Sequence, residues 1–191
     1  MYSTALQTES PPMDEIRLAR EALTDAEAFA ELYRRNVTRV YRYHLAHTGN
    51  VKDAEDLTSQ TFMAALEGLA SFRGEAPFAA WLMGIASRKR ALFFRGRRPE
   101  VPLEAALHIP TPGLLPDQLA GQRIQLESVI RALRQLSPDR SEALILCYFS
   151  GLNHAESARV LGKSEAAVKM LVSRGLQDLR ERTSLALEVE Q

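Results

Sequence analysis

The chain has 191 residues, enough for one ordinary domain or two small ones, and at 46% hydrophobic and 25% charged it has the composition of a globular protein. Its 24 basic residues balance its 24 acidic ones, so bulk charge gives no reason to propose a polyanion partner, although the charges are unevenly placed along the chain. The single cysteine, Cys147, excludes an internal disulfide and a thiolate zinc cluster, and within ALILCYF it reads as a small buried apolar residue.

Residues 1–24 form an N-terminal extension, expected to be disordered or partly helical: MYSTALQTESPPMDE is polar, carries paired prolines and has no basic-then-apolar leader pattern. No apolar run approaches membrane-spanning length, so no membrane insertion and a cytoplasmic location are expected. From 25 to 46, Phe29, Leu32, Tyr33, Val37, Val40, Tyr41 and Leu45 recur at helical spacing. Gly49-Asn50 punctuates, and DAEDLTSQTFMAALEGL predicts a second helix with inward Leu57, Phe62, Ala65, Leu66 and Leu69 and acids in its first turn. After the loop SFRGEA, Pro77 suits a first helical position, and Phe78, Trp81, Leu82, Ile85 and Ala86 make a third stripe.

The continuation of that helix is unusual. WLMGIASRKRALFFRGRR, residues 81–98, holds Arg88, Lys89, Arg90, Arg95, Arg97 and Arg98 with no acid, and interleaves Trp81, Phe93 and Phe94. Residues 99–121 then carry five prolines and two glycines, which exclude a continuous helix and mark a linker long enough to let the flanking parts sit far apart.

Helical patterning resumes in RIQLESVIRALRQL, with inward Ile124, Val129, Ile130, Leu133 and Leu136. Ser137-Pro138 starts the helix containing Leu144 to Phe149, and Gly151 ends it. Asn153-x-x-Glu156 is a capping-box pattern opening a short helix that stops at Gly162, and Ser164 caps the last helix. No strand pattern emerges. The expected fold is all-α: a first bundle over 25–98, the linker, a second bundle over 122–184 and a tail over 185–191.

Residues 151–180 have the form of a helix-turn-helix, with inward Ala155, Ala158, Leu161, Val168 and Leu171 and a second helix able to enter a major groove by its N-terminal half. Its outward candidates are Ser164, Glu165, Lys169, Met170, Ser173 and Arg174; a helical hairpin with a solvated charged face fits the same turn logic. The basic-aromatic stretch suits single-stranded or melting DNA, since cations neutralise phosphates and aromatic faces stack bases that have left the duplex. For Trp81 taken alone, core packing is the stronger reading. His44-x-x-His47 lies on one helix face, but without a cysteine or carboxylate at metal spacing it reads as surface or packing histidines, and no metal or other cofactor is expected. No phosphate-cradling glycine loop and no Ser/His/Asp arrangement appears, so no catalytic residue is assigned and the chain is not expected to be an enzyme.

The segment from AFAELYRRN through FRGEAPFAAWLMGIA resembles the first conserved domain of extracytoplasmic-function sigma factors, in the sigma-70 superfamily, and residues 129–181 are similar to that family's C-terminal helix-turn-helix domain. DAEDL…TF, FRGEAPFAAWL…IA and GL…ES…LG.SE.AVK…SRG carry the resemblance through their order and spacing. It implies partners: bacterial RNA polymerase core, promoter DNA and, for many such factors, an anti-sigma protein. It implies roles too. Asp53, Asp56, Leu57, Gln60 and Phe62 would dock on polymerase; Arg73, Trp81, Arg88, Lys89, Arg90, Phe93 and Arg95 would hold melted minus-ten DNA. Ser164, Glu165, Lys169, Met170, Ser173 and Arg174 would read the minus-thirty-five duplex. The chain departs from the family pattern at Gln60, at Ser87-Arg88 (commonly Arg-Asn), at Leu92 (an acidic position) and at Met170-Leu171 (a polar residue and Arg). Two other readings fit a chain with these departures: a sigma-like interaction protein with reduced or altered promoter recognition, and an ordinary helix-turn-helix regulator whose first half senses or dimerises.

Overall fold

In the computed structural model, which describes residues 12–96 and 128–189, the helix ends are set by the residues that the sequence marks. Helix α1 covers Pro12–Glu21 and α2 covers Ala26–Thr48. Asp25 caps α2, its carboxylate accepting from the Glu27 N–H at 2.9 Å. Gly49 closes it in the left-handed region (φ 62°), where a side chain would be strained, and donates its N–H to the Leu45 carbonyl. The next residue, Asn50, caps α3 (Val51–Gly68) by accepting from the Asp53 N–H at 3.0 Å. Two adjacent residues thus end one helix and start the next. A 3-10 turn over Leu69–Ser71 leads into a loop and then α4, Phe78–Gly96. Pro77 stands just outside α4 rather than in its first turn, its carbonyl accepting from Ala80 and Trp81.

The second half begins with α5, helical over 128–134, followed by α6, Pro138–Leu144, which continues as a π-helical turn through Ile145–Phe149. Asn153 and Glu156 form the full capping box of α7 (His154–Leu161), each side chain bonding the other's backbone N–H at 2.9 Å. Gly162 ends α7 in the left-handed region, and the Ser164 hydroxyl accepts from the Ala167 N–H at the start of α8, Glu165–Val189. Helix α8 runs on through most of the segment expected to be a tail from 185. The linker of 99–121 and the cations Arg97 and Arg98 lie outside the described residues, as does Ile124. No described residue is in a strand.

Both halves contribute to one continuous core: Leu32, Tyr43, Phe78, Leu82 and Met83 from the first, with Leu133, Leu144, Ile145, Leu146 and Val168 from the second. At about 1.5–3 kcal/mol for each large apolar side chain taken from water, these residues dominate stability. Gly175 permits a close helix crossing. A Cβ built there would sit 2.8 Å from Leu144 Cδ1, so a bare backbone is what lets α6 approach α8. Helix α1 is fastened by charge: Arg35 spans Asp14 (2.8 Å) and Glu31 (2.7 Å), and the buried Asn36 donates to Glu15 at 3.0 Å. The Arg35 hydrogen bonds hold the Asp14 and Glu31 carboxyls below their ordinary values.

Four inward assignments change, the first of them Val129 of α5, which is 43% exposed. Ala155 is exposed, and Ser157 takes the buried place on α7, 3.4 Å from the half-buried Cys147 sulfur. Leu66 is 53% exposed, because the buried line of α3 runs from Phe62 through Ala65 and Leu69 and leaves Leu66 at its margin. Tyr33 is partly exposed and packs its ring on Phe62, 4.6 Å between centroids.

Candidate nucleic-acid interface

On α3, Glu55, Asp56, Ser59, Gln60, Met63 and Leu66 are exposed while Leu57 and Phe62 are only 1% and 5% exposed. Leu57 and Phe62, expected at the docking surface, therefore face the bundle and hold α3 in place. What α3 offers outward is acidic at its start and apolar further on, with Met63 at 63% exposure. Neither exposed residue was legible as a contact in the sequence, because Leu66 reads as part of the inward stripe and Met63 falls beside it. Asp53 is half-buried at the helix start.

Helix α4 changes character along its length. Phe78, Ala79, Ala80, Leu82, Met83, Ile85 and Ala86 are buried, whereas Arg88, Phe94 and Arg95 are exposed and Lys89 and Phe93 half-buried. Phe93 and Phe94 stand edge to face, centroids 5.1 Å apart. Trp81 is half-buried in a trio with Phe72 (5.2 Å) and Phe78 (5.5 Å), so one indole face is packed. Arg73, on the loop, is exposed and weakly paired with Glu75 at 3.9 Å. The same loop is touched from both sides: Ile16 of α1 approaches Gly74, and Arg159 of α7 donates to the Glu75 carbonyl at 2.6 Å.

Arg90 has a different setting from its neighbours. Its Nη1 donates to Glu142 Oε2 of α6 at 2.7 Å, and Tyr43 donates its hydroxyl to the other oxygen, Oε1, at 2.6 Å. His47 Nε2 lies 3.1 Å from Glu142 Oε2, out of line for a hydrogen bond. In this structure Arg90, expected among the minus-ten contacts, is paired within the protein, unlike the exposed Arg88 and Arg95. Burial pushes the Glu142 carboxyl up, but His47, the Arg90 charge and the Tyr43 hydroxyl together outweigh it and leave the group below its ordinary value. Burial lowers His47 and raises the Tyr43 hydroxyl.

The two histidines are internal rather than on the surface. His44 is fully buried, with Nε2 3.0 Å from Thr61 Oγ1. Thr61 spends its own proton on the Leu57 carbonyl at 2.7 Å, so His44 is the donor, and its Nδ1 is left without a partner. Burial, helped by the nearby His47 and Arg90 charges, lowers the ring to about 3, which keeps it neutral. No group of three or more potential metal-ligating side chains occurs among the described residues. Burial raises the Cys147 thiol and disfavours its nucleophilic form.

In the second half the arrangement is simpler. Ser164, Glu165, Lys169, Met170, Ser173 and Arg174 are all exposed along α8, with Met170 at 53%. Lys169 pairs with Glu165 one turn earlier at 2.8 Å, which holds the Glu165 carboxyl down. Met170, Leu171 and Arg174 line an open cleft of about 320 Å³ with Arg140 and Lys163, each of which is already paired, to Asp178 and Asp139 respectively. A capped short helix and a left-handed glycine turn lead into a second helix whose N-terminal half is exposed.

The family models agree with this geometry. Sigma-70 region 2 matches residues 32–99, and Sigma-70, region 4 matches residues 126–179. The chain is 34% identical over 178 residues to the ECF RNA polymerase sigma factor BldN of Streptomyces coelicolor, covering 92% of this chain and 67% of that one. The chain belongs to the extracytoplasmic-function sigma factors. It is also 30% identical over 137 residues to the ECF sigma factor EcfG of Rhodopseudomonas palustris, spanning 72% of this sigma factor and 75% of EcfG. Among solved structures it is similar to CnrH in complex with the cytosolic domain of CnrY, at a TM-score of 0.70, 26% identity and coverage of 93% of this chain and 99% of that one. It is also similar to the sigma factor RpoE in complex with the anti-sigma factor NepR from Bartonella quintana, at a TM-score of 0.61 and 26% identity, covering 80% of this chain and 94% of that one. No helix of the described residues is long and apolar enough to cross a membrane.

Proposed function

We propose that this sigma factor joins core RNA polymerase through the outward face of α3, holds melted minus-ten DNA with the end of α4 and the 72–77 loop, and reads minus-thirty-five duplex with α8. The observation that carries the reading is the outward presentation of Ser164, Glu165, Lys169, Met170, Ser173 and Arg174 on one capped recognition helix, in a chain that also exposes Arg88, Phe94 and Arg95 on another. Asp56, Gln60, Met63 and Leu66 supply the polymerase contact; Leu57 and Phe62 position it. Arg88, Lys89 and Arg95 neutralise strand phosphates, Phe93 and Phe94 give bases a surface to stack on, and Arg73 reaches from the loop. Lys169 and Arg174 hold duplex phosphates, and Met170 supplies an apolar contact of the kind that suits a thymine methyl. No residue of this chain makes or breaks a covalent bond; the polymerase does the chemistry at the start site that the sigma factor selects. An anti-sigma protein is a partner consistent with the NepR complex of the Bartonella relative.

The test is reconstitution with bacterial core polymerase, followed by transcription from a library of promoter fragments. The reading predicts a core complex that starts RNA at a defined subset of fragments. Binding without selective initiation would leave a sigma-like interaction protein, and failure to bind core would leave a DNA-binding regulator.

A further inference from the structure

Helix α1 lies outside the segment matched to sigma-70 region 2, which begins at residue 32, and the proposed function gives it no task. Specific contacts nevertheless fix its place. Ala19 and Ala22 are buried in the core, Asp14 pairs with Arg35 at 2.8 Å, and Glu15 accepts from the buried Asn36 at 3.0 Å. A helix anchored this way carries its remaining side chains at defined positions.

Two of those side chains address the loop before α4. Ile16 and Arg20 are four residues apart and so share one face of α1. Both meet the loop at Gly74. A Cβ built there would lie 3.0 Å from Ile16 Cγ2 and 3.9 Å from Arg20 Nη2. Gly74 also adopts φ 73°, so its lack of a side chain answers both the turn and the close approach of α1. The next residue back, Arg73, has a side chain 82% exposed. The loop thus has one cation of its own and a second, Arg20, brought to it by α1.

The two arginines of α1 differ in what they do. Arg17 pairs with Asp14 at 3.3 Å and with Glu21 at 3.7 Å. Arg20 is exposed and enters no ion pair among the described residues. A guanidinium held beside a second cation, with no carboxylate of its own, raises the local potential for an anion.

We propose that Arg20 is a further DNA-binding residue, a phosphate contact that α1 adds to the strand-capture surface at the 72–77 loop. The inference rests on the reading of that loop as a contact for melted DNA. Ile16 sets α1 against Gly74, and Arg20 then meets the strand beside Arg73. The contact is to backbone phosphate, so it adds affinity and register without reading a base.

The test uses the full chain reconstituted with bacterial core polymerase, and core alone as the background. A fluorescent single-stranded oligonucleotide of mixed sequence is the probe, titrated at several salt concentrations. Arg20→Gln keeps length and removes the charge; Arg20→Lys keeps the charge. Arg17→Gln changes the same helix at its internally paired arginine, and Arg73→Gln reports on the loop itself. Circular dichroism melting verifies that each variant folds.

Arg20→Gln should lower the salt slope by about 0.7, the value of one single-strand contact, and weaken binding about fivefold at roughly 0.1 M salt. Arg20→Lys and Arg17→Gln should stay close to wild type. A purely structural Arg20 would move the melting temperature and leave the slope alone. An unchanged slope in Arg20→Gln, with a lowered one in Arg73→Gln, would overturn the inference and keep the loop in the DNA interface. Unchanged slopes in both would remove the loop as well. Equal losses at Arg17 and Arg20 would also overturn it, since a diffuse charge effect would then suffice.

Discussion

The recognition helix α8 and the basic end of α4 are both assigned to DNA, yet the structure treats them differently. Along α8 the contact candidates are all exposed, and the pairing there is a local Lys169–Glu165 bridge on the surface. Along α4, Arg90 is tied to a buried carboxylate 52 residues away, and the neighbouring loop is held by Arg159. The residues proposed for duplex contact are thus exposed in the free chain, whereas part of the set expected for strand capture is engaged within the protein. A helix can thus carry the composition of a nucleic-acid surface while part of it serves as an internal contact.

The largest test of this contrast is the triple replacement of Arg88, Lys89 and Arg90 by Ala. Open-complex formation should fall on the order of a hundredfold, and the salt slope should drop by about 1.4, at roughly 0.7 for each of Arg88 and Lys89, the two of these cations proposed to meet strand phosphates. Undiminished salt dependence would remove this end of α4 from the DNA interface. By comparison, replacing Lys169 and Arg174 with Ala should reduce the slope for promoter duplex by about 1.8, at roughly 0.9 per contact, with the melting temperature little changed because the Lys169–Glu165 pair is exposed.

Next in size is acid sensitivity, which separates the halves because its buried histidines lie in the first. Burial places His44 at about 3 and lowers His47, so the folded chain carries fewer protons than the unfolded one. Folded values below the free ones mean that this stability is complete above the free-histidine value of 6.5 and is lost as pH falls toward the folded values. Glu142, also held down, adds the same sign of effect below its free value of 4.5. Chemical denaturation from pH 7 to pH 4.5 should therefore show stability falling, by up to about 1.4 kcal/mol per pH unit for each fully differential proton. A flat profile would contradict the buried neutral His44.

The smallest effect expected is at Gly175. Alanine improves helix propensity by about 1 kcal/mol, but its Cβ would meet Leu144 at 2.8 Å, and overpacking of this kind costs about 1–3 kcal/mol. Gly175→Ala should lose ~1 kcal/mol net in urea melts, whereas Gly84→Ala, with nothing within 4 Å, should lose nothing. Equal effects at the two sites would mean that α6 and α8 are not in close contact.

Much of the fold was legible because helix ends depend on local chemistry. Asn153 with Glu156, Gly162, and the Gly49-Asn50 junction act within a few residues of themselves, and the outward set on α8 follows from helical spacing once Ser164 fixes its start. The joining of the halves was not legible. Glu142 sits in the seven-residue helix PDRSEAL, where an acid ordinarily reads as solvated, and its partner Tyr43 is 99 residues away. Nothing periodic signals such a pair. Tyr33 and Leu66 failed for a related reason: they lie at the margin of an apolar stripe, and only the placement of the neighbouring helices decides which side of that margin is covered.

The most direct test of the account is a protection map of one promoter fragment, recorded with the free chain and again with the chain on core polymerase. The account predicts that the polymerase complex protects two separated patches, an upstream duplex patch and a melted downstream one, while the free chain protects at most the upstream patch. Protection of both patches by the free chain would contradict the engagement of Arg90 and the 72–77 loop by the second half, and protection of neither by the polymerase complex would contradict the assignment of α8 and α4 to promoter DNA.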